Sequence, residues 1–506
     1  MPGKYVLAID AGSSGCRAII FDIRGKLISS ASQEWFYEIP PELAPMGKEF
    51  DARKLWGIIC KLIRQSIKKA GISSTEIVAV SSTSQRQAVV FLDEDGQELY
   101  AGPNTDLRAL IEGFTIDGEF EEEVYRITGH KPSLLFTPAK LKWFQNNRPQ
   151  IYERIATILS LSDWIVFKLC GERIAEISSV GDIGLLDISN VKLSSRLLEM
   201  LQLPRGIYPP LVGSGTRVGA VTESAAKQTG LAKGTRVVTG GGDTQCGLLG
   251  MGLKDEAEVG IVAGWSGTLQ MIVSRAVIDS RRRTWTGCHI QSGKWVLESN
   301  AQESGGAYRW LKGLLFDKSG KDDKYALMDN LAQDAPPGSG GAFAFIGPTK
   351  MDMTRMKPSL GGFIFPVTPS VTGIEKKHLI RAALENLAFS FKANCVQLED
   401  IAELKLRKIA IGGGLSKSNS LVQILSNVLN MPVTCFDVTE VTACGAAMCA
   451  ATGAGIYPDL IEAMKAMQPE SRVVEPDSQA AQEYLPIYEK WLYTLKWLDE
   501  LLDKIG

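Results

Sequence analysis

The chain alternates between short apolar runs and polar turns that are rich in glycine. The first apolar run, Val6 to Ile9, has the length of a buried strand and is too short for a helix. It ends at Asp10 and is followed by a turn of glycines and serines, after which Ala18 to Phe21 form a second apolar run. This pattern predicts a strand, a tight polar turn and a second strand.

The same pattern returns in the second half of the chain. Residues 259–263 form an apolar run, Gly264-Trp-Ser-Gly267 forms a turn, and residues 268–273 form another apolar run. Both halves therefore begin with a strand, a glycine and serine turn and a second strand, which predicts two related domains. We place these domains at residues 1–252 and 253–506.

Three further apolar runs end in polar or glycine-rich segments. Residues 77–80 run into a polar stretch ending in Gln85-Arg86-Gln87, residues 236–239 run into Gly240-Gly-Gly-Asp243, and residues 408–411 run into Gly412-Gly-Gly. In open α/β sheets, ligands bind at the carboxyl ends of the strands. Each segment is therefore a candidate binding site, although each is also compatible with an ordinary solvated loop or a plain turn.

Helix signals separate these strands. Asp51 is predicted to cap a helix that runs to Ala70, because an apolar stripe follows it and Gly71 ends the pattern. A second helix is expected from Lys376 to about Leu398.

The first turn has the chemistry of a phosphate-binding loop. Glycines allow the backbone N–H groups to approach an anion closely, and serine hydroxyls add donors. Arg17 adds positive charge, and Asp10 could hold a cation beside the phosphates. Asp243, after its triple glycine, is a candidate catalytic carboxylate. Asp106 and Arg108 could be a surface ion pair or could bind the hydroxyls of a small polar ligand.

Composition excludes several other classes of protein. The chain has 506 residues and a net charge of −2, so we expect neither nucleic acid nor an anionic membrane as partner. Nine scattered cysteines without a C-x-x-C pair, and only three histidines, disfavour a zinc site and a histidine-dependent hydrolase. Without a signal-peptide pattern, a reducing cytoplasm is the expected location.

Taken together, these motifs resemble the FGGY family of carbohydrate kinases, over essentially the full length of the chain. The residues that carry the resemblance are Asp10-x-Gly-Ser-Ser-x-x-Arg17, Gln85-Arg86, Lys140-Leu-Lys-Trp143 with Asn146-Asn147, Gly241-Gly-Asp243, and Gly412-Gly-Gly414 with Ser416 and Asn419. The resemblance implies an α/β fold of two actin-like (ribonuclease H-like) domains, with a catalytic cleft between them.

The resemblance also implies a role for each motif. Asp243 would be the general base, and Asp10 with Asp243 would place Mg²⁺ through waters. A small sugar or polyol would be bound by Gln85, Arg86, Gln87, Asp106, Phe136, Asp243 and Thr244. ATP would be bound by Gly12, Ser13, Ser14, Arg17, Gly264, Ser266, Gly412, Gly413, Ser416 and Asn419.

The sequence leaves the acceptor and two other functions open. Trp265 stands where the family's second phosphate turn has threonine, and Gln85-Arg-Gln87 is closer to glycerol kinases than to xylulose kinases. A different actin-like ATPase and a regulator that binds sugar or nucleotide without turnover remain alternatives. The sequence does not decide whether the chain forms a homodimer.

Overall fold

The computed structural model describes residues 4–316, 323–355, 358–367, 373–436 and 440–505. Every predicted site residue lies within these ranges. The chain divides into two compact units. Unit 1 comprises residues 1–254, 272–297 and 440–469, and unit 2 comprises residues 255–271, 298–439 and 470–506.

The described strands are β1 (Tyr5–Ala11), β2 (Gly15–Asp22), β3 (Leu27–Glu34), β4 (Ile77–Ser84), β5 (Val89–Leu92), β6 (Glu98–Gly102), β7 (Thr157–Ser160), β8 (Ala175–Glu176), β9 (Leu186–Asp187), β10 (Lys192–Leu193), β11 (Leu211–Val212), β12 (Arg217–Ala220), β13 (Arg236–Gly242), β14 (Glu258–Ala263), β15 (Ser266–Val273), β16 (Trp285–Cys288), β17 (Trp295–Glu303), β18 (Phe343–Phe345), β19 (Gly362–Ile364), β20 (Lys408–Gly412), β21 (Val433–Phe436) and β22 (Ser471–Val474).

The described α-helices are α1 (Ala52–Ala70), α2 (Leu110–Thr128), α3 (Thr137–Asn147), α4 (Pro149–Tyr152), α5 (Leu161–Cys170), α6 (Ile177–Gly181), α7 (Ser195–Met200), α8 (Glu223–Thr229), α9 (Asp243–Gly250), α10 (Gly305–Leu315), α11 (Lys324–Gln333), α12 (Lys376–Ala402), α13 (Asn419–Leu429), α14 (Val441–Gly453), α15 (Leu460–Met467) and α16 (Ser478–Ile505). Single 3₁₀ turns occur at Pro41–Leu43, Ser74–Glu76, Ser133–Leu135, Ser339–Gly341 and Gly414–Lys417. Within the described ranges, no helix is long and apolar enough to span a bilayer.

Unit 1 contains a six-stranded sheet with the order β12-β13-β4-β1-β2-β3. β1 and β2 form the predicted antiparallel hairpin, whereas β1, β4 and β13 are parallel. Alternate side chains of a strand point to opposite faces of its sheet. Leu7 and Ile9 accordingly pack in the core that contains α1, while Val6 and Ala8 pack in the core that contains α14. β1 is therefore buried on both faces, as its uninterrupted apolar run predicts.

Unit 2 repeats this arrangement. Its strands are ordered β17-β15-β14-β20-β21-β22, with an antiparallel β14-β15 hairpin followed by parallel pairing of β14, β20 and β21. In both units the last strand, β12 or β22, is antiparallel to its neighbour. The prediction of two related α/β domains is thus confirmed.

The helix predictions are also confirmed, with one correction to the strands. Asp51 accepts a hydrogen bond from the backbone N–H of Lys54, and Gly71 ends α1 in the left-handed conformation. α12 begins at the predicted residue and continues one turn further than expected. The triple glycine Gly240–Gly242, however, belongs to β13 and is not a turn after it.

A close helix contact depends on a glycine in the middle of α14. A Cβ atom at Gly445 would overlap with the carbonyl oxygen of Cys246 on α9. Glycine in a helix interior normally costs about 1 kcal/mol relative to alanine. Gly445 is therefore retained for the approach of the two backbones.

We predict that Gly445→Ala lowers the apparent melting temperature by several degrees, because the two helices must separate to admit the methyl group. The matched control is Gly118→Ala on α2, where no atom lies within 4 Å of the added Cβ. This control is expected to leave the melting temperature unchanged or to raise it. Thermal unfolding of both variants checks the prediction, and an unchanged Gly445→Ala protein would contradict it.

Candidate active site

Three parallel strands of unit 1 end at one edge of the sheet and bring the predicted residues together. Asp10 of β1 lies opposite Thr83 of β4, which in turn lies opposite Gly241 of β13. Gln85 follows β4 directly, and Asp243 follows β13 directly. Because adjacent strands are about 4.8 Å apart, these residues surround one region at the carboxyl ends of the strands.

The triple glycine of β13 is required by close neighbours. A Cβ atom at Gly240 would overlap with the backbone of β4, and one at Gly241 would lie 2.7 Å from the hydroxyl of Ser178. A Cβ atom at Gly242 would crowd the side chains of Gln245 and Arg86. The glycines therefore allow the polar groups of neighbouring elements to approach the strand that carries Asp243.

Asp243 begins α9, and its pKa is raised. Its side chain is 27% exposed, and Nε of Arg86 lies 3.8 Å from its Oδ1 atom. Burial raises the pKa of Asp243 to about 7, an effect to which Asp10 adds and which Arg86 opposes. A carboxylate with a pKa near neutrality is suited to accept a proton.

Arg86 lies between Asp243 and a second carboxylate. Its Nη1 atom is 3.6 Å from Oδ2 of Asp182, and both side chains are almost entirely buried. Asp182 also accepts a hydrogen bond of 3.2 Å from Nε2 of Gln245 and lies 3.2 Å from Nε2 of His130. This network fixes the position of the guanidinium group beside Asp243.

The β1-β2 hairpin presents its turn to solvent and keeps its acid buried. Ser13 and Ser14 are exposed, whereas Asp10 is buried and pairs with Nη1 of Arg17 at 3.1 Å. Burial raises the pKa of Asp10, and Arg17 opposes this shift. Exposed amides and hydroxyls beside an arginine form a suitable cradle for phosphate oxygens.

A hydrogen-bonded path joins this turn to the predicted acceptor residues. The hydroxyl of Tyr37 donates to the carbonyl oxygen of Ser13 at 2.7 Å and accepts from Nε2 of Gln85 at 3.1 Å. Nε2 of Gln87 and Oδ1 of Asn104 are buried without a hydrogen-bond partner. Because unpaired buried polar groups are costly, these two atoms indicate a place for a ligand with hydroxyl groups.

Two predicted acceptor residues are fully enclosed. Phe136 packs against the rings of His130 and Trp285 at 5.1 and 5.7 Å. Asp106 has no exposed surface and accepts from the backbone N–H of Lys48 at 2.8 Å and from Nε of Arg108 at 2.7 Å. A direct contact of either residue with a sugar stays a prediction. Thr244, in the first turn of α9, donates its hydroxyl hydrogen to Gln245.

Unit 2 brings its own two glycine turns together. Val262 of β14 pairs with Gly412 of β20, so the turns that follow these strands are neighbours. Gly413 has a φ of 95°, and a Cβ atom there would lie 2.7 Å from the carbonyl oxygen of Ala263. The hydroxyl of Ser416 donates to the carbonyl oxygen of Gly413 at 2.8 Å.

The other three predicted nucleotide residues of unit 2 lie on these turns and beside them. Gly264 is exposed, Ser266 is half-buried, and Asn419 is exposed with its Oδ1 atom bonded to Arg472. A Cβ atom added at Gly264 or Gly414 would meet no atom of another residue within 4 Å beyond the chain neighbours. The two turns together therefore form a backbone cradle that an anion or a nucleotide could occupy.

The acids of unit 1 suit a magnesium ion that is also bound by waters and phosphate oxygens. They suit a metal held by protein side chains alone less well. Among the described residues, no group of three or more histidine, cysteine, aspartate or glutamate side chains could hold a metal. Mg²⁺ prefers one or two carboxylates together with waters and phosphate oxygens. Asp10 and Asp243 provide such a pair of carboxylates.

Sequence reasoning missed Tyr37, His130, Asp182 and Gln245. Gln245 was visible as part of the segment after the triple glycine, but no role was assigned to it. Asp182 lies at the end of the short helix α6, where its sequence neighbours resemble any glycine-containing loop. A single buried carboxylate can be recognised only after the fold has placed Arg86 beside it.

Comparisons with known proteins agree with this geometry. Residues 5–250 match the N-terminal domain, and residues 259–454 the C-terminal domain, of the FGGY family of carbohydrate kinases. Over 501 residues the chain is 33% identical to an autoinducer-2 kinase of Salmonella choleraesuis, covering 97% of this chain and 93% of that protein.

Solved structures of similar proteins have the same fold. Xylulose kinase of Rhodospirillum rubrum is 25% identical and has a TM-score of 0.85, covering 98% of this chain and 99% of its own. Gluconate kinase of Lactobacillus acidophilus is 20% identical and has a TM-score of 0.86, covering 99% of this chain and 100% of its own. The similarity to gluconate kinase shows a shared fold alone.

We predict that Asp243→Asn gains thermal stability relative to the native protein as the pH rises. The folded-state pKa of about 7 lies above the ordinary value of 3.8, so folding favours the neutral acid. The free-energy cost of ionising Asp243 in the folded protein therefore increases as the pH rises from about 4 to about 7. The asparagine of the variant does not ionise and has no such cost.

Melting temperatures at pH 4.5 and pH 8 check this prediction. The melting temperature of Asp243→Asn minus that of the native protein should be more positive at pH 8 than at pH 4.5. Asp95→Asn, in an exposed loop, is the control and should show the same difference at both values. A difference for Asp243→Asn that does not depend on pH would contradict the assigned pKa.

Proposed function

The chain belongs to the FGGY family of carbohydrate kinases, and from this premise we propose that it transfers the γ-phosphoryl group of ATP to a hydroxyl of a small sugar or polyol, with Asp243 as the general base. The observation that carries this proposal is the position of Asp243. It follows β13 at the edge where β1 places Asp10 and β4 places Arg86, and its pKa is close to 7.

The residues of unit 1 provide the functions that phosphoryl transfer needs. Such transfer requires an in-line hydroxyl, a group that accepts its proton, and positive charge near the phosphoryl oxygens. Asp243 accepts the proton, Arg86 orients Asp243, and the turn at Gly12–Ser14 with Arg17 binds phosphate oxygens. In unit 2, Gly264, Ser266 and the Gly412–Asn419 segment bind the nucleotide.

Asp10 and Asp243 would hold Mg²⁺. When bound, the ion would spread the negative charge of the triphosphate. The raised pKa values of both acids support this role, because two buried carboxylates beside each other favour a neutralising cation.

Gln85 and Gln87 bind the hydroxyl groups of the acceptor. The unpaired Nε2 atom of Gln87 and Oδ1 atom of Asn104 support this assignment, because one donor and one acceptor suit the two hydrogen-bonding capacities of a hydroxyl. Phe136 and Asp106 are proposed to face the acceptor together with these two glutamines, as the family resemblance implies. Thr244 is proposed to lie beside the acceptor at the start of α9.

A finer hypothesis is that the acceptor is autoinducer-2. Three segments resemble autoinducer-2 kinases most closely, namely Gly240–Gln245, Glu123–Gly129 and Leu161–Trp164. The identity of 33% over almost the whole chain supports this choice. Xylulose and related pentuloses are the next candidates, in agreement with the structural likeness to xylulose kinase.

A coupled ADP-release assay separates the kinase from the two other functions. The acceptors tested are autoinducer-2, xylulose, glycerol and other ketoses and polyols. Turnover that requires an acceptor supports the kinase, whereas equal ATP hydrolysis without an acceptor supports an ATPase. Nucleotide binding without product supports a regulator.

We predict that Asp243→Asn lowers kcat by about 10²–10⁴-fold, because the amide cannot accept the hydroxyl proton. The ADP-release assay at saturating ATP and acceptor measures the loss. Asp95→Asn is the control and should retain full activity. A loss of less than tenfold for Asp243→Asn would contradict its role as the base.

We also predict that kcat/KM falls below about pH 7, by tenfold for each pH unit, since only the ionised form of Asp243 accepts a proton. Arg86→Gln should move this acidic limb to higher pH, because Arg86 lowers the pKa of Asp243. Rate profiles between pH 5.5 and 8.5 test both statements. A limb that stays in place or moves to lower pH would show that Arg86 does not act on Asp243.

A further inference from the structure

Two arginines near the predicted acceptor residues each face two carboxylates of the protein. Arg86 lies 3.6 Å from Asp182 and 3.8 Å from Asp243. Arg108, further from the strand ends, lies 2.7 Å from Asp106 and 2.8 Å from Glu49. The charge of each arginine is therefore divided between two acids.

Asp182 is a permanent anion of this pocket. Burial acts to raise its pKa, but Arg86 and His130 outweigh burial and the pKa of Asp182 is lowered. Both ring nitrogens of His130 face acceptors, since Nδ1 lies 2.6 Å from the carbonyl oxygen of Thr128 and Nε2 lies 3.2 Å from Asp182. Asp182 is therefore already engaged by Arg86 and by His130.

A buried lysine of unit 1 also has an acid as its counter-charge. Lys140 is fully buried and its Nζ atom faces the carbonyl oxygen of Pro103 at 3.5 Å. Burial lowers the pKa of Lys140 to about 8, although Asp106 opposes the shift. Lys140 is therefore still mostly protonated at neutral pH, and Asp106 favours that charge.

From these contacts, and on the basis of the proposed kinase function, we infer that the acceptor is an uncharged polyhydroxy compound and that Asp182 is the residue that excludes anionic acceptors such as aldonates. A substrate carboxylate beside Arg86 would have to displace Asp182 or Asp243 and would then lie against both. Like charges placed together in a buried site discriminate strongly against a ligand.

The unpaired amide groups agree with a neutral ligand. Gln87 provides a buried donor and Asn104 a buried acceptor, and a hydroxyl group pairs with either. A carboxylate accepts hydrogen bonds only, so it would leave Oδ1 of Asn104 unpaired. The chain shares its fold with gluconate kinase, but the acceptor inferred for this chain is uncharged.

The test compares acceptors of equal length that differ in charge. The native protein is assayed with xylitol and xylonate and with glucitol and gluconate, and xylulose and autoinducer-2 are added as further neutral acceptors. We expect kcat/KM for the best neutral acceptor to exceed that for any aldonate by at least 10²-fold. An aldonate used within tenfold of the best neutral acceptor overturns the inference.

The variant Asp182→Asn tests whether Asp182 excludes anionic acceptors. It should reduce the preference for neutral acceptors at least tenfold, mainly by lowering KM for the aldonate, while Asp182→Glu should restore the preference. Asp187→Asn, in the nearby strand β9, where Asp187 bonds to Asn190, is the control and should leave the preference unchanged. Equal losses of kcat/KM for both kinds of acceptor in Asp182→Asn would show a purely structural role and overturn the assignment to Asp182.

A protein that is not a kinase would give a different result in this assay. If the native protein phosphorylates none of these compounds, the proposed function falls, and ligand-induced shifts of the melting temperature then decide the inference. Stabilisation by neutral compounds alone supports it. Stabilisation by an aldonate, or by none of the compounds, overturns it.

Discussion

The parallel register of β1, β4 and β13 is the constraint on which the site depends. It places Asp10, Thr83 and Gly241 side by side, so that the residues that follow each strand meet at one edge. No single strand contains a site. Burial at this edge raises the pKa of Asp243, and Arg86 and Asp10, which the other two parallel strands bring to the same edge, modify that shift in opposite directions.

Under the proposed function, the repeat of this sheet in unit 2 allows one architecture to serve two kinds of ligand. In both units an antiparallel hairpin is followed by parallel strands, and glycines stand where the strands end. In unit 1 the edge also carries acids and an arginine, which suit chemistry. In unit 2 the corresponding turns present mainly backbone groups, Ser416 and Asn419, which suit binding of a nucleotide. The division of labour therefore lies in a few side chains and not in the fold.

Much of the fold could be predicted from the sequence, since it depends on local signals. Buried apolar runs identified β1, β4, β13, β14 and β20, and Asp51 with Gly71 identified both ends of α1. The triple glycine was not recognised as part of β13, because its close approach to Ser178 and to β4 joins segments that are distant in sequence. Asp182 and Tyr37 were missed for the same reason. Residues that act through a partner far along the chain carry no local pattern.

The close contact between α9 and α14 has a consequence for how the chain is made. α14 covers one face of the sheet of unit 1, yet it lies almost two hundred residues after α9. While the ribosome is still synthesising residues 298–439, α9 already packs on that face, but the part that α14 covers still lacks its helix. Unit 1 is therefore completed late, when residues 440–469 emerge and join strands that were translated long before.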